Sequence, residues 1–151
     1  MRNEDGSFTP LQEWDGSIND PHYLEGALEL TVNGVSLITS TMWDYIDQLW
    51  AYIFNTIEDL TLEGSAYMYF PDQPIKLEMK KVKTDMVQIS VSSSSGKFDN
   101  STKAKESQFV QKLLKEGERF FLQLGEKNSE SRKKYETEIE QIRELRSIYS
   151  V

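Results

Sequence analysis

The most constraining feature of the sequence is a run of alternating apolar and polar side chains between residues 65 and 92. Strict alternation is the period of a strand that buries one face and exposes the other. Three such segments follow one another, separated by turn formers at residues 71–74 and at Thr84-Asp85. Successive strands that each keep one wet face favour an antiparallel sheet, whose apolar face then needs a covering layer.

A β-hairpin is predicted upstream, across residues 22–39. Apolar and polar residues alternate from Leu24 to Val32, and Asn33-Gly34 follows. This dipeptide is the strongest short hairpin signal, because both residues tolerate positive φ. Gly26 lies inside the first strand and indicates a β-bulge there.

An amphipathic helix is predicted over residues 41–60. Apolar residues recur there at spacings of three and four, which place them on one helical face. Ser40 or Thr41 can cap its start. The opposite face is polar and carries Asp44 and Asp47, so we expect both carboxylates to be exposed.

The remaining chain predicts two further helices. A flexible loop is expected from Ser92 to about Lys103 because of its run of serines. Residues 104–124 have an apolar stripe that contains Gly117, and Gly125 is a natural helix stop. Residues 129–148 form a polar third helix with a thin apolar stripe, which either packs on the second helix or extends freely.

The resulting order, ββ-α-βββ-αα, predicts an α+β fold. We expect an antiparallel sheet of about five strands with helices packed on one face. The 151 residues are about the size of one domain. Residues 1–21 are predicted to form an irregular arm that packs through Trp14, residues 22–125 an α+β core, and residues 126–151 a polar C-terminal helix of the same domain.

Composition excludes several classes of protein. The chain has no cysteine, which rules out disulfide scaffolds, thiol catalysis and cysteine-based zinc sites. No apolar run approaches the roughly 18 residues that span a bilayer, and no basic-then-apolar signal segment opens the chain. We therefore expect a cytoplasmic protein without membrane association and without a cofactor.

Charge is distributed unevenly along the chain. The net charge is −8, yet residues 1–63 hold twelve acidic residues and one base, Arg2, whereas residues 64–151 hold thirteen acidic residues and sixteen bases. Asymmetry between halves indicates an electrostatic partner. Because the excess is negative, a basic protein is a better partner than nucleic acid. The alternative is that the two halves fold together and neutralise each other.

The end of the first helix has an unusual charge pattern. Glu58 and Asp59 lie where the helix dipole disfavours negative charge, at about 0.3–1 kcal/mol each. Acidic residues at this end lower the stability of the helix, and residues that lower local stability are often kept for function. The alternative is a set of salt bridges to the lysines of the second half, Lys76, Lys80, Lys81 and Lys83.

Catalytic and metal sites find little support in the sequence. His22 is the only histidine, so a Ser-His-acid triad would have to use it, and no nucleophile elbow is present. Residues 15–19 resemble the start of a calcium loop, but its sixth and twelfth positions hold Asp20 and Gly26 instead of glycine and glutamate. Adjacent carboxylates such as Glu58 and Asp59 diverge on a helix, which disfavours a hydrolase that needs two converging acids.

An RNA-binding sheet is a further alternative. Tyr67 and Tyr69 can share the wet face of the sheet with Lys76, and RNA readers stack bases on such aromatics. The net charge of −8 opposes this interpretation. We therefore predict no nucleic-acid partner.

Four segments of the first half carry a resemblance to a known class of proteins. They are Trp14-Asp15-Gly16, Tyr23-Leu24-Glu25-Gly26-Ala27-Leu28-Glu29-Leu30, Asn33-Gly34 and Trp43-Asp44-Tyr45-Ile46-Asp47-Gln48-Leu49-Trp50. Residues 14–75 resemble small acidic bacterial immunity-type proteins, which neutralise toxins delivered between competing cells. The resemblance is one of general character, since such proteins are short, acidic, free of cysteine and poor in motifs. It implies a stoichiometric inhibitor that covers a toxin domain.

These observations predict a non-enzymatic inhibitor that binds a basic toxin, for example a nuclease, through an acidic surface. It is expected to be a monomer or a weak dimer. The alternative function is a structural or adaptor protein that docks a partner or self-associates through its C-terminal helices. The predicted partner contacts are Asp44, Asp47, Tyr45, Tyr52, Glu58 and Asp59.

Overall fold

The computed structural model describes residues 1–149 and has an α+β fold. The first half comprises β1 (Glu25–Gly26), β2 (Leu30–Val32), β3 (Val35–Ile38), β4 (Asp44–Tyr45) and α1 (Ile46–Glu63). The second half comprises β5 (Ser65–Tyr69), β6 (Ile75–Lys83), β7 (Met86–Ser93), β8 (Asp99–Lys105), α2 (Glu106–Lys127), α3 (Ser129–Lys134) and α4 (Glu136–Tyr149). Short 3₁₀ turns lie at Leu11–Glu13 and Ser40–Met42.

The main sheet is antiparallel and has four strands in the order β5-β6-β7-β8. Alternate side chains such as Leu77, Met79 and Ile89 are fully buried, which confirms the predicted strands of residues 65–92. The expected fifth neighbour is absent among residues 1–149, because the upstream strands form two separate pairs, β1-β4 and β2-β3. The prediction of a single sheet of about five strands is therefore wrong in detail.

The upstream hairpin keeps its predicted turn but not its predicted first strand. Asn33 and Gly34 adopt φ of 49° and 78°, as the turn requires. The segment before the turn forms two short strands instead of one. Glu25 and Gly26 of β1 pair with β4, whereas β2 pairs with β3. Gly26 is paired regularly with Asp44 and is not a bulge.

Helix α1 begins five residues later than predicted. Ser40 and Thr41 lie in a 3₁₀ turn and cap nothing, and β4 intervenes before the helix. The helix ends at Gly64, whose φ is 80° and whose N–H donates to the Leu60 carbonyl at 2.9 Å. Its predicted apolar stripe is buried, as at Leu49 and Ile53.

Strand β8 occupies much of the predicted flexible loop. Only Ala104 among its side chains is buried, so the strand has no apolar alternation that a sequence pattern could reveal. Its backbone pairs with β7 from Asp99 to Lys105. The prediction of a loop up to Lys103 is wrong for this reason.

The C-terminal helices differ from the prediction in two ways. Helix α2 continues past Gly125, which is buried against Arg132, and ends at Lys127. The predicted third helix is two helices, α3 and α4, separated at Tyr135. Its apolar stripe lies in the common core instead of extending freely: Tyr135, Ile139, Ile142 and Leu145 are all buried. None of the helices within residues 1–149 combines the length and apolarity that crossing a bilayer requires.

The N-terminal arm is anchored to the end of α2. Trp14 is buried, as predicted. The Lys127 ammonium donates to the Gln12 carbonyl at 2.9 Å, and the Asn128 side-chain amide donates to the Gly16 carbonyl at 3.1 Å. The backbone can approach this closely because residue 16 has no side chain.

Gly16→Ala is expected to detach this arm. Gly16 has a φ of 84°, and a Cβ there would lie 2.8 Å from the Lys127 carbonyl carbon and closer still to its oxygen. We expect a loss of about 2–4 kcal/mol in the free energy of unfolding, with a red shift of Trp14 fluorescence. Gly34→Ala is the matched control, because it also has positive φ but meets no atom within 4 Å. A loss equal to that of the control would contradict the close-packing argument.

Candidate functional site

Most carboxylates of the first half lie on the surface. Nine of the twelve acidic residues in positions 1–63 are exposed: Glu4, Asp5, Glu13, Asp15, Asp20, Glu29, Glu58, Asp59 and Glu63. Within residues 1–149, the only ion pair made by this half joins Glu25 to Arg2 at 2.9 Å, and Arg2 belongs to the same half. The other ion pairs join residues of the second half to each other. Pairwise neutralisation between the halves is therefore absent from the described part of the chain.

An exposed stripe runs along α1. Tyr45, Gln48, Tyr52, Asn55 and Asp59 follow each other at spacings of three and four, so they share one side of the helix. All five are at least partly exposed, and Tyr52 is 39% exposed. At 1.5 Å per residue the stripe is about 21 Å long.

A third tyrosine, Tyr23, extends this stripe at the start of α1. The rings of Tyr23 and Tyr45 lie 5.2 Å apart, and Tyr23 is 57% exposed. Desolvation and the nearby carboxylates of Asp72 and Glu25 raise the pKa of Tyr45. We call Tyr23, Tyr45, Tyr52, Glu58 and Asp59 together the tyrosine–acid surface.

The acidic end of α1 has no cationic partner among residues 1–149. Glu58, Asp59 and Glu63 are exposed, and none of them forms an ion pair there. The Gln141 side-chain amide donates to Glu58 at 3.1 Å, which is a neutral contact. Two of the lysines considered as partners are used elsewhere: Lys76 pairs with Glu78 at 3.5 Å and Lys81 with Glu106 at 3.2 Å.

Asp44, by contrast, is not a surface residue. It is 1% exposed, because it lies in β4 before the helix and not on the helix. Its carboxylate accepts hydrogen bonds from the backbone N–H of Asp72 at 3.1 Å, of Gln73 at 2.9 Å and of Tyr45 at 2.7 Å. The exposed position predicted for Asp44 is wrong, and the residue instead anchors the turn between β5 and β6.

Asp47 is also buried, with 7% of its surface exposed. The Tyr135 hydroxyl donates to its carboxylate at 2.5 Å, across 88 residues of sequence. Burial and this carboxylate raise the pKa of Tyr135, which keeps the hydroxyl protonated. The exposed position predicted for Asp47 is wrong, because the C-terminal helices cover this side of α1.

The other candidate residues of the sequence, His22 and Asp15, make local contacts. His22 is exposed, and its backbone N–H donates to Asp20 at 2.9 Å. Asp15 accepts hydrogen bonds from the backbone and hydroxyl of Ser17, which closes a local turn. Across residues 1–149, no group of three or more acidic or histidine side chains is arranged to hold a metal ion.

The open face of the main sheet carries the tyrosine pair that its alternation predicted. Tyr67 and Tyr69 are 61% and 58% exposed, and their rings meet edge to face with centroids 6.1 Å apart. The Lys76 ammonium lies 4.6 Å from the centre of the Tyr67 ring. The Tyr67 ring therefore contacts both Tyr69 and Lys76.

Sequence reasoning missed two features of the surface. Tyr23 joins the tyrosine–acid surface through the β1-β4 pairing, and Asp72 lies near Tyr45 because Asp44 holds the turn that contains it. A groove of about 900 Å³ also lies between α2 and the chain before the Asn33-Gly34 turn. Comparison of the chain with models of protein families, with curated proteins and with solved structures found no match in any of the three.

Proposed function

We propose that this chain is a non-enzymatic inhibitor of the immunity type, which binds a basic toxin through its tyrosine–acid surface. The observation that carries the proposal is the survival of the charge asymmetry in the folded chain. Nine carboxylates of residues 1–63 are exposed, and no base from residues 64–149 is ion-paired with any acid of that half. A surface field of one sign steers an oppositely charged partner and speeds association.

Besides electrostatic steering, a protein interface needs side chains that contribute binding energy, and the tyrosines provide them. Tyr23 and Tyr52 present large side chains with a polar tip, and such residues are enriched among the contacts that dominate binding energy. The surrounding carboxylates contribute mainly to association rate and partner choice. Of the predicted contacts, Tyr45, Tyr52, Glu58 and Asp59 remain in the proposal, and Tyr23 joins them.

The adaptor alternative has a weaker basis in the structure. It required an apolar seam on the C-terminal helices that a partner or a second copy could cover. That seam is inside the protein's own core, as the burial of Ile142 and Leu145 shows. We therefore propose a monomer whose function is binding through α1.

The first test is the gene neighbourhood. A reading frame adjacent to the gene of this chain should encode a larger toxin-like protein with a basic toxic domain. Co-expression of this chain with that domain should restore growth of the host cells. Absence of such a reading frame, or no rescue despite soluble expression of both proteins, would contradict the proposed function.

Paired variants then locate the binding surface on that toxin domain. Glu58→Lys with Asp59→Lys should slow association about tenfold or more, because it reverses the steering field. Tyr52→Ala should act mainly on dissociation, at a cost of about 2 kcal/mol, or about thirtyfold in Kd. The control is Glu136→Lys with Glu140→Lys, which makes the same charge change at exposed sites on α4. Equal slowing by both pairs, measured by stopped-flow fluorescence, would mean that net charge alone matters.

A further inference from the structure

The groove beside α2 is a second surface, separate from the tyrosine–acid surface. It has a volume of about 900 Å³, within the range of ligand-binding clefts. One wall is α2, and the other is formed by residues 8–12 and 27–33. Trp50, Phe109, Leu113 and Phe120 contribute apolar surface to its lining.

The chain along one wall has unpaired backbone groups. Residues 27–29 join β1 to β2, and within residues 1–149 their N–H and C=O groups make no hydrogen bond. The neighbouring strand β2 pairs only with β3 in the described chain and also lines the groove. An extended segment with free backbone groups is a template for an added strand.

The opposite wall carries cations in a row. Lys105, at the end of β8 just before α2, and Lys112 and Arg119 on α2 line the groove at intervals of seven residues, so the three follow one side of this helix axis over about 21 Å. The side chains of Lys112 and Arg119 are 71% and 55% exposed, and Glu116 lies between them at 3.2 Å and 3.9 Å. Two acids, Glu29 and Glu116, also line the groove, so its lining side chains carry one net positive charge on a chain whose net charge is −8.

We propose that the groove binds an extended peptide segment of a partner protein, about six residues long, in which apolar and acidic side chains alternate. Six extended residues span about 20 Å, which matches the row of cations. The peptide backbone would pair with residues 27–29, its apolar side chains would cover the groove floor, and its carboxylates would meet Lys112 and Arg119. Free backbone groups favour a peptide over a fatty acid, which has no amide to pair with them.

Defined probes test the proposal on the full chain. The end-blocked hexapeptide Val-Glu-Val-Glu-Val-Glu should bind at least tenfold tighter than Val-Lys-Val-Lys-Val-Lys. At saturation it should slow amide hydrogen exchange at least tenfold either at Leu28 or at both Ala27 and Glu29, measured by NMR, because alternate N–H groups of a strand face the same edge. It should also shift the Trp50 indole signal. The same acidic peptide with N-methylated valines should bind at least tenfold more weakly. Laurate should not compete at equal concentration.

Charge reversal on the groove wall provides the matched variants. Lys112→Glu with Arg119→Glu should weaken the acidic peptide at least tenfold and strengthen the basic one. Lys115→Glu is the control, because Lys115 is exposed on the same helix but does not line the groove. Unchanged exchange at residues 27–29, equal binding of the N-methylated peptide, or displacement by laurate would overturn the proposal. Shifts at those residues that grow with protein concentration alone would show that a second copy fills the groove instead.

Discussion

Replacing Asp44 by alanine is expected to lower the free energy of unfolding by about 3 kcal/mol. The carboxylate accepts hydrogen bonds from three backbone N–H groups, and two of them belong to the turn between β5 and β6. Alanine leaves these donors without their partner in a site that is 1% exposed. For a chain of this size the loss corresponds to a fall of about 6–12 °C in Tm, measurable by thermal unfolding.

Two control variants separate the hydrogen bonds from the charge itself. Asp44→Asn keeps one acceptor oxygen and the side-chain volume, so we expect a smaller loss of about 1–2 kcal/mol. Asp59→Ala removes an exposed carboxylate at the C-terminal end of α1, where the helix dipole disfavours it. Its effect should lie within about 0.5 kcal/mol of zero or be stabilising. A loss at Asp59 as large as that at Asp44 would contradict the distinction between a buried structural acid and an exposed binding acid.

Gly117→Val is expected to cost about 3 kcal/mol or more through overpacking between α1 and α2. A Cβ at residue 117 would lie 2.5 Å from Cε1 of Phe54 and 3.1 Å from Cε3 of Trp50. Gly117→Ala should cost less, because the higher helix propensity of alanine returns about 1 kcal/mol. Urea unfolding of both variants measures the difference.

Shortening the opposing side chain should relieve this clash. In the double variant Gly117→Ala with Phe54→Leu, the alanine should cost less than it does in the wild-type chain, so the two changes are non-additive. Lys115→Ala, on the exposed side of the same helix, should leave stability nearly unchanged. Strict additivity of the Gly117 and Phe54 changes would show that the helices do not meet closely at this position.

Periodicity predicted the elements whose side chains bury one face. The strands β5, β6 and β7 and the apolar stripe of α1 follow from spacing alone, because burial selects apolar residues at the period of each element. Strand β8 could not be predicted in this way, since only Ala104 among its side chains is buried. The strand is held in place by backbone pairing with β7. The start of α1 was missed because Ser40 and Thr41 offered a local cap that the β1-β4 pairing overrides.

The candidate site was predicted in part for a related reason. Glu58, Asp59 and Tyr52 are exposed as expected, because their place on the helix follows from the same periodicity. Asp44 and Asp47 are buried by partners that lie 28 to 88 residues away, namely the turn at Asp72 and the hydroxyl of Tyr135. No local pattern contains such long-range contacts. Tyr23 reaches the surface through strand pairing, which is equally non-local.

The most direct test of binding through the tyrosine–acid surface is the salt dependence of association with the basic toxin domain. Exposed charges are screened as ionic strength rises, so steering by the tyrosine–acid surface should fade. We expect the association rate constant of the wild-type chain to fall about tenfold or more between about 20 mM and about 300 mM NaCl. The Glu58→Lys, Asp59→Lys variant should show a much flatter dependence. A wild-type rate constant that stays the same across this range would contradict the account.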